Sequence, residues 1–195
     1  MVEILGFLGG AIGVSAGLPQ VYKILKLKHT DGLNRTAWSL ILTASTAWAA
    51  YGVRIDSISA ITCNLIAAVI NSFIVFKIIS HRIRFFIPLY SALVFYSVLN
   101  IPEVLLTFIL IGFTFAQLPQ VINSIDNYRT AKNSAVSLAT IIAALVSYLC
   151  WATYGVLLDL TTVWLTSAIG FTLSFLILLF EAPSLRGRLP LKTPL

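Results

Sequence analysis

Apolar residues dominate the chain in seven long runs, and short polar stretches separate these runs. They cover about residues 3–25, 36–54, 57–77, 84–101, 103–124, 135–156 and 160–181. Each run is close to the roughly 20 residues that an α-helix needs to cross the apolar core of a bilayer. We therefore predict an all-α integral membrane protein with seven transmembrane helices, the fourth of which is the shortest.

The composition also indicates a membrane protein. Of the 195 residues, 58% are hydrophobic and 10% are charged, whereas soluble domains have roughly 25% charged residues. The net charge of +6 does not indicate a nucleic-acid partner, because the basic residues lie between the apolar runs. Cys63 and Cys150 fall inside apolar runs, so we interpret them as small buried side chains and not as a disulfide.

The basic residues orient the predicted spans. With seven spans, all of the 13 Lys and Arg residues except Arg54 fall on one side of the membrane. Cytoplasmic loops carry the excess of basic residues. This pattern predicts an N-terminus outside the cell, a cytoplasmic C-terminus and, as the location, the plasma membrane.

Two motifs occur twice in the same order. LPQV at residues 18–21 returns at 118–121, an offset of 100 residues. WAAYGV from Trp48 returns as WATYGV from Trp151, an offset of 103 residues. Each second motif is followed by an aspartate four residues after its glycine, Asp56 and Asp159 respectively.

The repeated motifs divide the chain. We predict a first unit of three helices (1–81), a linker span (82–102), a second unit of three helices (103–182) and a cytoplasmic tail (183–195). Four spans separate equivalent points of the two units, so the units have the same orientation in the membrane. This arrangement is a parallel repeat about an axis along the membrane normal.

These residues resemble the PQ-loop superfamily: LPQ near the end of a first helix, then a basic loop, then WxxYG before a short turn, with Asn64 downstream. Within it, the chain is most similar to the SWEET sugar facilitators and their half-sized bacterial relatives, the SemiSWEETs. The 3+1+3 layout resembles the full-length SWEETs over nearly the whole chain. The resemblance implies a transporter that works by alternating access, and not an enzyme.

The repeated prolines predict a hinge in each unit. Proline lacks the backbone N–H that would bond the carbonyl four residues back, so Pro19 and Pro119 break their helices. In a bilayer, an unpaired carbonyl is costly unless it faces protein or water. Gln20 and Gln120 could cap the freed carbonyls near the cytoplasmic end. The resemblance implies that these segments bend during transport; a passive kink is the alternative.

Four residues are the candidate substrate site. Trp48 and Asn64 lie eight residues before and after Asp56, and Trp151 and Ser167 lie eight residues from Asp159. At 1.5 Å per residue, all four are roughly 12 Å from the outer turns, near the membrane midplane. An indole stacks on the C–H face of a sugar, and an amide bonds its hydroxyls. Helix packing and an interhelical hydrogen bond are the alternatives.

The resemblance implies that the Trp48 and Asn64 positions line the substrate pocket, with counterparts in the second unit. Ser167 departs from the family pattern, since an asparagine is expected there. The resemblance also implies an outer gate, for which we name Tyr51, Arg54, Asp56, Tyr154 and Asp159. An arginine–aspartate pair could close such a mouth; solvated loop charges are the alternative.

The predicted function is downhill facilitation of a small neutral solute, a sugar in the first place. All acidic residues map to span ends or loops, whereas proton-coupled transporters usually keep an acid within the membrane. The alternative is a proton-coupled amino-acid or organic-acid exporter of the PQ-loop type, and a sorting receptor is a third interpretation. We expect no cofactor, metal or nucleic acid; the partners are the solute and the bilayer, and a homo-oligomer stays open.

Overall fold

The computed structural model describes residues 1–15, 18–27, 34–130 and 137–185. Within these ranges the chain is helical, with short 3₁₀ turns at His81–Phe86 and Phe115–Gln117. The α-helices are α1 (Val2–Ser15), α2 (Leu18–Leu27), α3 (Arg35–Arg54), α4 (Ile58–Ile78), α5 (Ile87–Asn100), α6 (Glu103–Thr114), α7 (Leu118–Thr130), α8 (Leu138–Leu157) and α9 (Thr161–Leu185).

These helices confirm the all-α membrane fold. Five helical segments among the described residues are long and apolar enough to cross a membrane: Ile58–Ile78, His81–Asn100, Glu103–Thr130, Leu138–Leu157 and Thr161–Ala182. Helix α1 is apolar but has only 14 residues. Helix α3 has 20 residues but carries several serines and threonines. The count of seven spans therefore stays a prediction.

The two predicted units pack their helices in the same order. In the first unit, α4 packs against both α1 and α3. In the second unit, α9 packs in the same way against α8 and against α6 and α7. The linker helix α5 lies against α3, and α1 packs against α8 across the boundary between the units.

The hairpins of the two units end in the same turn. Asp56 and Asp159 have φ values of 51° and 54°, in the left-handed region. Behind them, the N–H of Ser57 donates to the Gly52 carbonyl (3.0 Å), and that of Leu160 donates to Gly155 (2.8 Å). This is a Schellman ending, in which aspartate tolerates the left-handed conformation better than most residues. We call the end of the bundle that carries these turns the outer end.

Glycines bring α1 close to its neighbours. A Cβ on Gly10 would lie 2.4 Å from the Cys63 sulfur, and one on Gly9 would lie 2.9 Å from the Cys150 Cβ. The Ser147 hydroxyl donates to the Gly9 carbonyl across this contact (2.8 Å). Small residues permit such close helix approach in membranes. Both cysteines are buried and free, which confirms their interpretation.

The apolar core is shared at the outer end and divided at the other, inner end. One cluster combines side chains of both units and the linker, including Tyr51, Tyr154, Val98 and Leu110. Toward the inner end, Ile24, Ile74 and Ile78 form a cluster within the first unit. A separate cluster lies within the second unit around Val121, Ile141, Leu145, Leu173 and Ile177. The units are thus joined most extensively in their outer halves.

Candidate functional site

The four predicted substrate residues line one cavity. This cavity has a volume of about 380 Å³ and lies between α1, α3, α4, α6, α8 and α9. Trp48, Asn64, Trp151 and Ser167 all contribute to its wall. A second cavity of about 440 Å³ shares six lining residues with the first: Gly13, Ala44, Trp48, Asn64, Tyr148 and Trp151. Its other lining residues belong mainly to the inner half of the first unit.

The two tryptophans have matching surroundings. The Trp48 ring meets Tyr51 edge-on, with ring centroids 5.6 Å apart, and the Trp151 ring meets Tyr154 in the same way at 5.4 Å. Edge-on contacts of this kind fix aromatic rings relative to each other. Both tyrosines are buried, whereas both tryptophans are partly exposed and face the cavity. Each indole is therefore held by its tyrosine and open to a ligand.

The polar residues beside the tryptophans keep unused bonding capacity. The Asn64 amide nitrogen donates to the Ala60 carbonyl of its own helix (2.9 Å). Within the described part of the chain, the Asn64 side-chain oxygen has no hydrogen-bond partner. Ser167 is 5% exposed and lines the same cavity. These groups can both donate to and accept from a hydroxylated ligand.

The described residues that line both cavities are uncharged. Among the described residues, their polar groups are Ser, Thr, Asn, Gln, Tyr and Trp side chains. A charged ligand would need an opposite charge or a metal to offset the cost of leaving water. The arrangement therefore suits a neutral polar ligand.

One carboxylate bridges the two units at the outer end, on the side of α3. Glu103, the first residue of α6, forms an ion pair with Arg54 (2.7 Å) and accepts a hydrogen bond from the Tyr51 hydroxyl (3.1 Å). Arg54 also donates to the carbonyls of Val98 and Ile101, at 3.1 and 2.6 Å. Three segments of the chain meet at this arginine: α3, the end of the linker and α6.

A second carboxylate bridges the two units on the side of α8. The Tyr154 hydroxyl donates to Glu3 in α1 (2.6 Å) and lies 2.6 Å from the Ser57 hydroxyl. The other Glu3 oxygen accepts from the backbone N–H of Ser59 (2.7 Å), at the start of α4. A carboxylate is favourable at a helix N-terminus, where N–H groups lack helical partners. Glu3 thus connects the two units.

The two carboxylate bridges are internal equivalents. Glu3 and Glu103 differ by 100 residues, and Tyr51 and Tyr154 by 103, which are the offsets of the repeated motifs. In each case, the first helix of one unit supplies the carboxylate and the second helix of the other unit supplies the tyrosine. We did not name the glutamates as gate residues from the sequence. Their matching offset was the available signal.

The predicted gate aspartates lie in the hairpin turns and not at the contacts between the units. Asp56 and Asp159 form the hairpin turns, and their carboxylates make no hydrogen bond to other described residues. The expected pairing of Arg54 with an aspartate is wrong, because Glu103 approaches the guanidinium from the next unit. Leu157, at the position of Arg54 in the second unit, offers no equivalent charge, and there Glu3 bonds a tyrosine and a backbone N–H instead.

The second PQ segment contains a tightened turn. The residues Phe115–Gln117 form a 3₁₀ turn between α6 and α7, and the N–H of Leu118 donates to the Phe115 carbonyl. Pro119 has no N–H that could donate to this carbonyl, so the N–H of Leu118 donates to it instead. The expected capping by Gln120 is wrong, because its amide donates to Ser124 instead (3.3 Å).

The first PQ segment is described in part. Pro19 lies in the first turn of α2, where its missing N–H costs no helical bond. The side chain of Gln20 lies outside the described residues, so its capping role stays a prediction. The residues 16–17, which would carry the break between α1 and α2, also lie outside the described ranges.

One acidic residue at a span end is buried within the protein, which the sequence did not indicate. Glu181 in α9 is fully buried, and its carboxylate accepts from the Ser124 hydroxyl of α7 (2.6 Å). The internal equivalents of Ser124 and Glu181 are Ile24 and Ile78, which pack together in an apolar cluster. The inner end of the first unit is therefore stabilised by apolar packing, and that of the second unit by a buried hydrogen bond.

Comparisons with known proteins agree with the fold and with the first motif. The residues 1–61 match the family described as PQ loop repeat. The structure resembles a 3.7 Å structure of a eukaryotic SWEET transporter, with a TM-score of 0.73 and 16% sequence identity. The alignment covers 95% of this chain and 99% of that chain. No curated protein matches the sequence significantly. The first 61 residues thus match the PQ loop repeat, and the chain has a fold similar to that of a SWEET transporter.

Proposed function

We propose that the protein is a membrane transporter, and not an enzyme, that carries a small neutral polyol, a sugar in the first place, down its concentration gradient. The observation that supports this most is the uncharged cavity between the two units, with a tryptophan from each unit in its wall. The PQ loop match and the SWEET fold support a transporter. The solute class is inferred from the cavity itself.

The cavity chemistry fits a sugar. Each indole offers an apolar face to the C–H groups of a pyranose ring. Asn64 and Ser167, together with Thr166 and Gln117, line the same space and can bond its hydroxyls. A hydroxylated ring needs both kinds of contact at once, whereas an amino acid would require partners for two charges.

The way in which the units are joined supports alternating access. At the outer end, Glu3 and Glu103 bridge the units, and a shared apolar cluster lies next to them. At the inner end each unit has its own cluster. We propose that this arrangement is the state closed to the outside, and that rotation of the units breaks both carboxylate bridges to open it.

Uptake into liposomes that contain the purified protein tests this function. Labelled neutral sugars should enter faster than into empty liposomes, labelled amino acids should not, and uptake should saturate. Trp48→Ala should reduce sugar uptake at least tenfold while the amount of folded protein stays constant, since it removes the stacking face. Trp164→Ala is the matched control, because Trp164 is 37% exposed and does not line the cavity. Amino-acid uptake without sugar uptake would overturn the proposal.

A further inference from the structure

A second set of polar side chains lies inward of the tryptophans. Ser45 and Tyr148 are three residues further from the hairpin turns than Trp48 and Trp151, so they lie roughly 5 Å deeper. Asn71 lines the second cavity with Ser45, and Tyr148 lines both cavities.

In the first unit, the Asn71 side chain has an unused hydrogen-bond acceptor. Its amide nitrogen donates to the Ser45 hydroxyl (3.2 Å), which itself donates to carbonyls of its own helix. This chain of bonds orients the amide, and its oxygen and its second N–H remain. That oxygen has no partner among the described residues, although Asn71 is only 6% exposed. Asn71 lines the second cavity, so a ligand or water there can donate to this oxygen.

In the second unit, the Tyr148 hydroxyl has an unused hydrogen-bond donor. The Gln117 amide donates to the Tyr148 hydroxyl, and the Ser174 hydroxyl donates to the Gln117 oxygen (3.2 Å). The phenol therefore accepts from Gln117 and keeps its own proton for another partner. Its ring packs on Gly170, where an added Cβ would lie 2.4 Å from the ring, so the ring is held in place.

We propose that Asn71 and Tyr148 form a second binding layer, in which the Asn71 oxygen and the Tyr148 hydroxyl bind hydroxyl groups of the solute. One layer member accepts and the other donates, which matches the two capacities of a sugar hydroxyl. The cavity lining extends along α3 from Ile55 to Trp38, roughly 25 Å. A solute that leaves the tryptophans toward the inner end must pass this layer. The inference rests on the proposed function.

Competition with deoxy-sugars tests the layer. Uptake of labelled glucose into liposomes is inhibited with unlabelled glucose and with its monodeoxy analogues, for the unmodified protein and for Asn71→Leu. If Asn71 binds a hydroxyl, one analogue should inhibit about three- to tenfold less well than glucose, the range for one hydrogen bond. In Asn71→Leu that difference should vanish, whereas differences for the other hydroxyls remain.

A second variant and a control keep the outcomes distinct. Tyr148→Phe keeps the ring on Gly170 and should remove the difference for another hydroxyl, so the test does not depend on the folding of Asn71→Leu. Asn100→Leu, at an exposed position on α5, should keep the whole pattern. An unchanged pattern in both cavity variants, with intact glucose uptake, would overturn the layer alone. Absence of any sugar uptake by the unmodified protein would overturn the proposed function and the layer with it.

Discussion

At the scale of single residues, the outer closure depends on a few polar contacts. Glu3 and Glu103 each bond a tyrosine of the other unit, and Glu103 also pairs with Arg54, whose side chain is 22% exposed. Partly exposed ion pairs contribute at most roughly 1 kcal/mol. Contacts of this strength can hold a closed state and still break within a transport cycle.

Neutralising these carboxylates should open the outer end more often. Glu103→Gln and Glu3→Gln are each expected to raise its exposure about fivefold, which corresponds to roughly 1 kcal/mol. The measurement is the rate at which a membrane-impermeant thiol reagent, added outside, modifies a cysteine at Val163, a buried residue of the cavity wall. Asp126→Asn, on an exposed position of α7, is the control. Equal rates in all variants would contradict the closure.

The substrate site could be predicted at this scale, and the closure only in part. Residue type and distance from the turns were sufficient to bring Trp48, Asn64, Trp151 and Ser167 to one cavity. Their role as ligands stays a prediction. The partner of Arg54 could not be predicted from neighbouring positions, since Glu103 comes from another unit and is 49 residues away.

At the scale of helices, the two first helices differ. Helix α1 presents glycines to α4 and α8, whereas a Cβ on Gly112 of α6 would meet nothing within 4 Å. The first unit is thus packed tightly against α8, and the equivalent contact of α6 with α3 is looser. The four-residue spacing of Gly9 and Gly13 is typical of close helix packing but does not identify the partner helix.

This difference predicts unequal effects of added side chains. Gly10→Val should lower the free energy of unfolding by about 1–3 kcal/mol, because its Cβ would overlap Cys63 and push α1 away from α4. Gly112→Val should change it by less than about 1 kcal/mol, since open space surrounds that position. Thermal unfolding in detergent measures both. Equal losses would show that the α1 contact has no special importance.

The 3₁₀ turn before α7 predicts a kinetic effect. Pro119→Ala restores an N–H that can bond the Phe115 carbonyl, so the turn can convert to continuous helix. We expect a lower maximal rate of sugar exchange with little change in half-saturating concentration, because a stiffer helix slows the change between states. Exchange kinetics in liposomes provide both values. An unchanged maximal rate would favour the passive kink.

At the scale of the whole molecule, the long apolar runs and the repeated motifs predicted the membrane fold and the position of the cavity. They did not predict the asymmetry between the units. It arises from substitutions at equivalent positions, such as Ile24 and Ile78 against Ser124 and Glu181. The two isoleucines pack against each other in an apolar cluster, and Glu181 accepts a hydrogen bond from Ser124. Which residues become neighbours is known only from the folded structure.

Whether transport is driven or downhill is also a property of the whole molecule. Both outer carboxylates take part in bonds that must break, so a proton-linked exporter could use them. The cavity lining itself offers no carboxylate among the described residues. A polar, uncharged pathway favours passive movement of a neutral solute.

The most direct test of this account is the steady-state concentration of labelled sugar inside liposomes, measured with and without an imposed pH gradient. We predict entry that stops when the inside and outside concentrations are equal, at the same level under both conditions, with an initial rate at least tenfold lower for Trp48→Ala. Accumulation above the outside concentration that follows the pH gradient would contradict downhill facilitation. It would identify the protein as proton-coupled and direct the search for the proton site to Glu3 and Glu103.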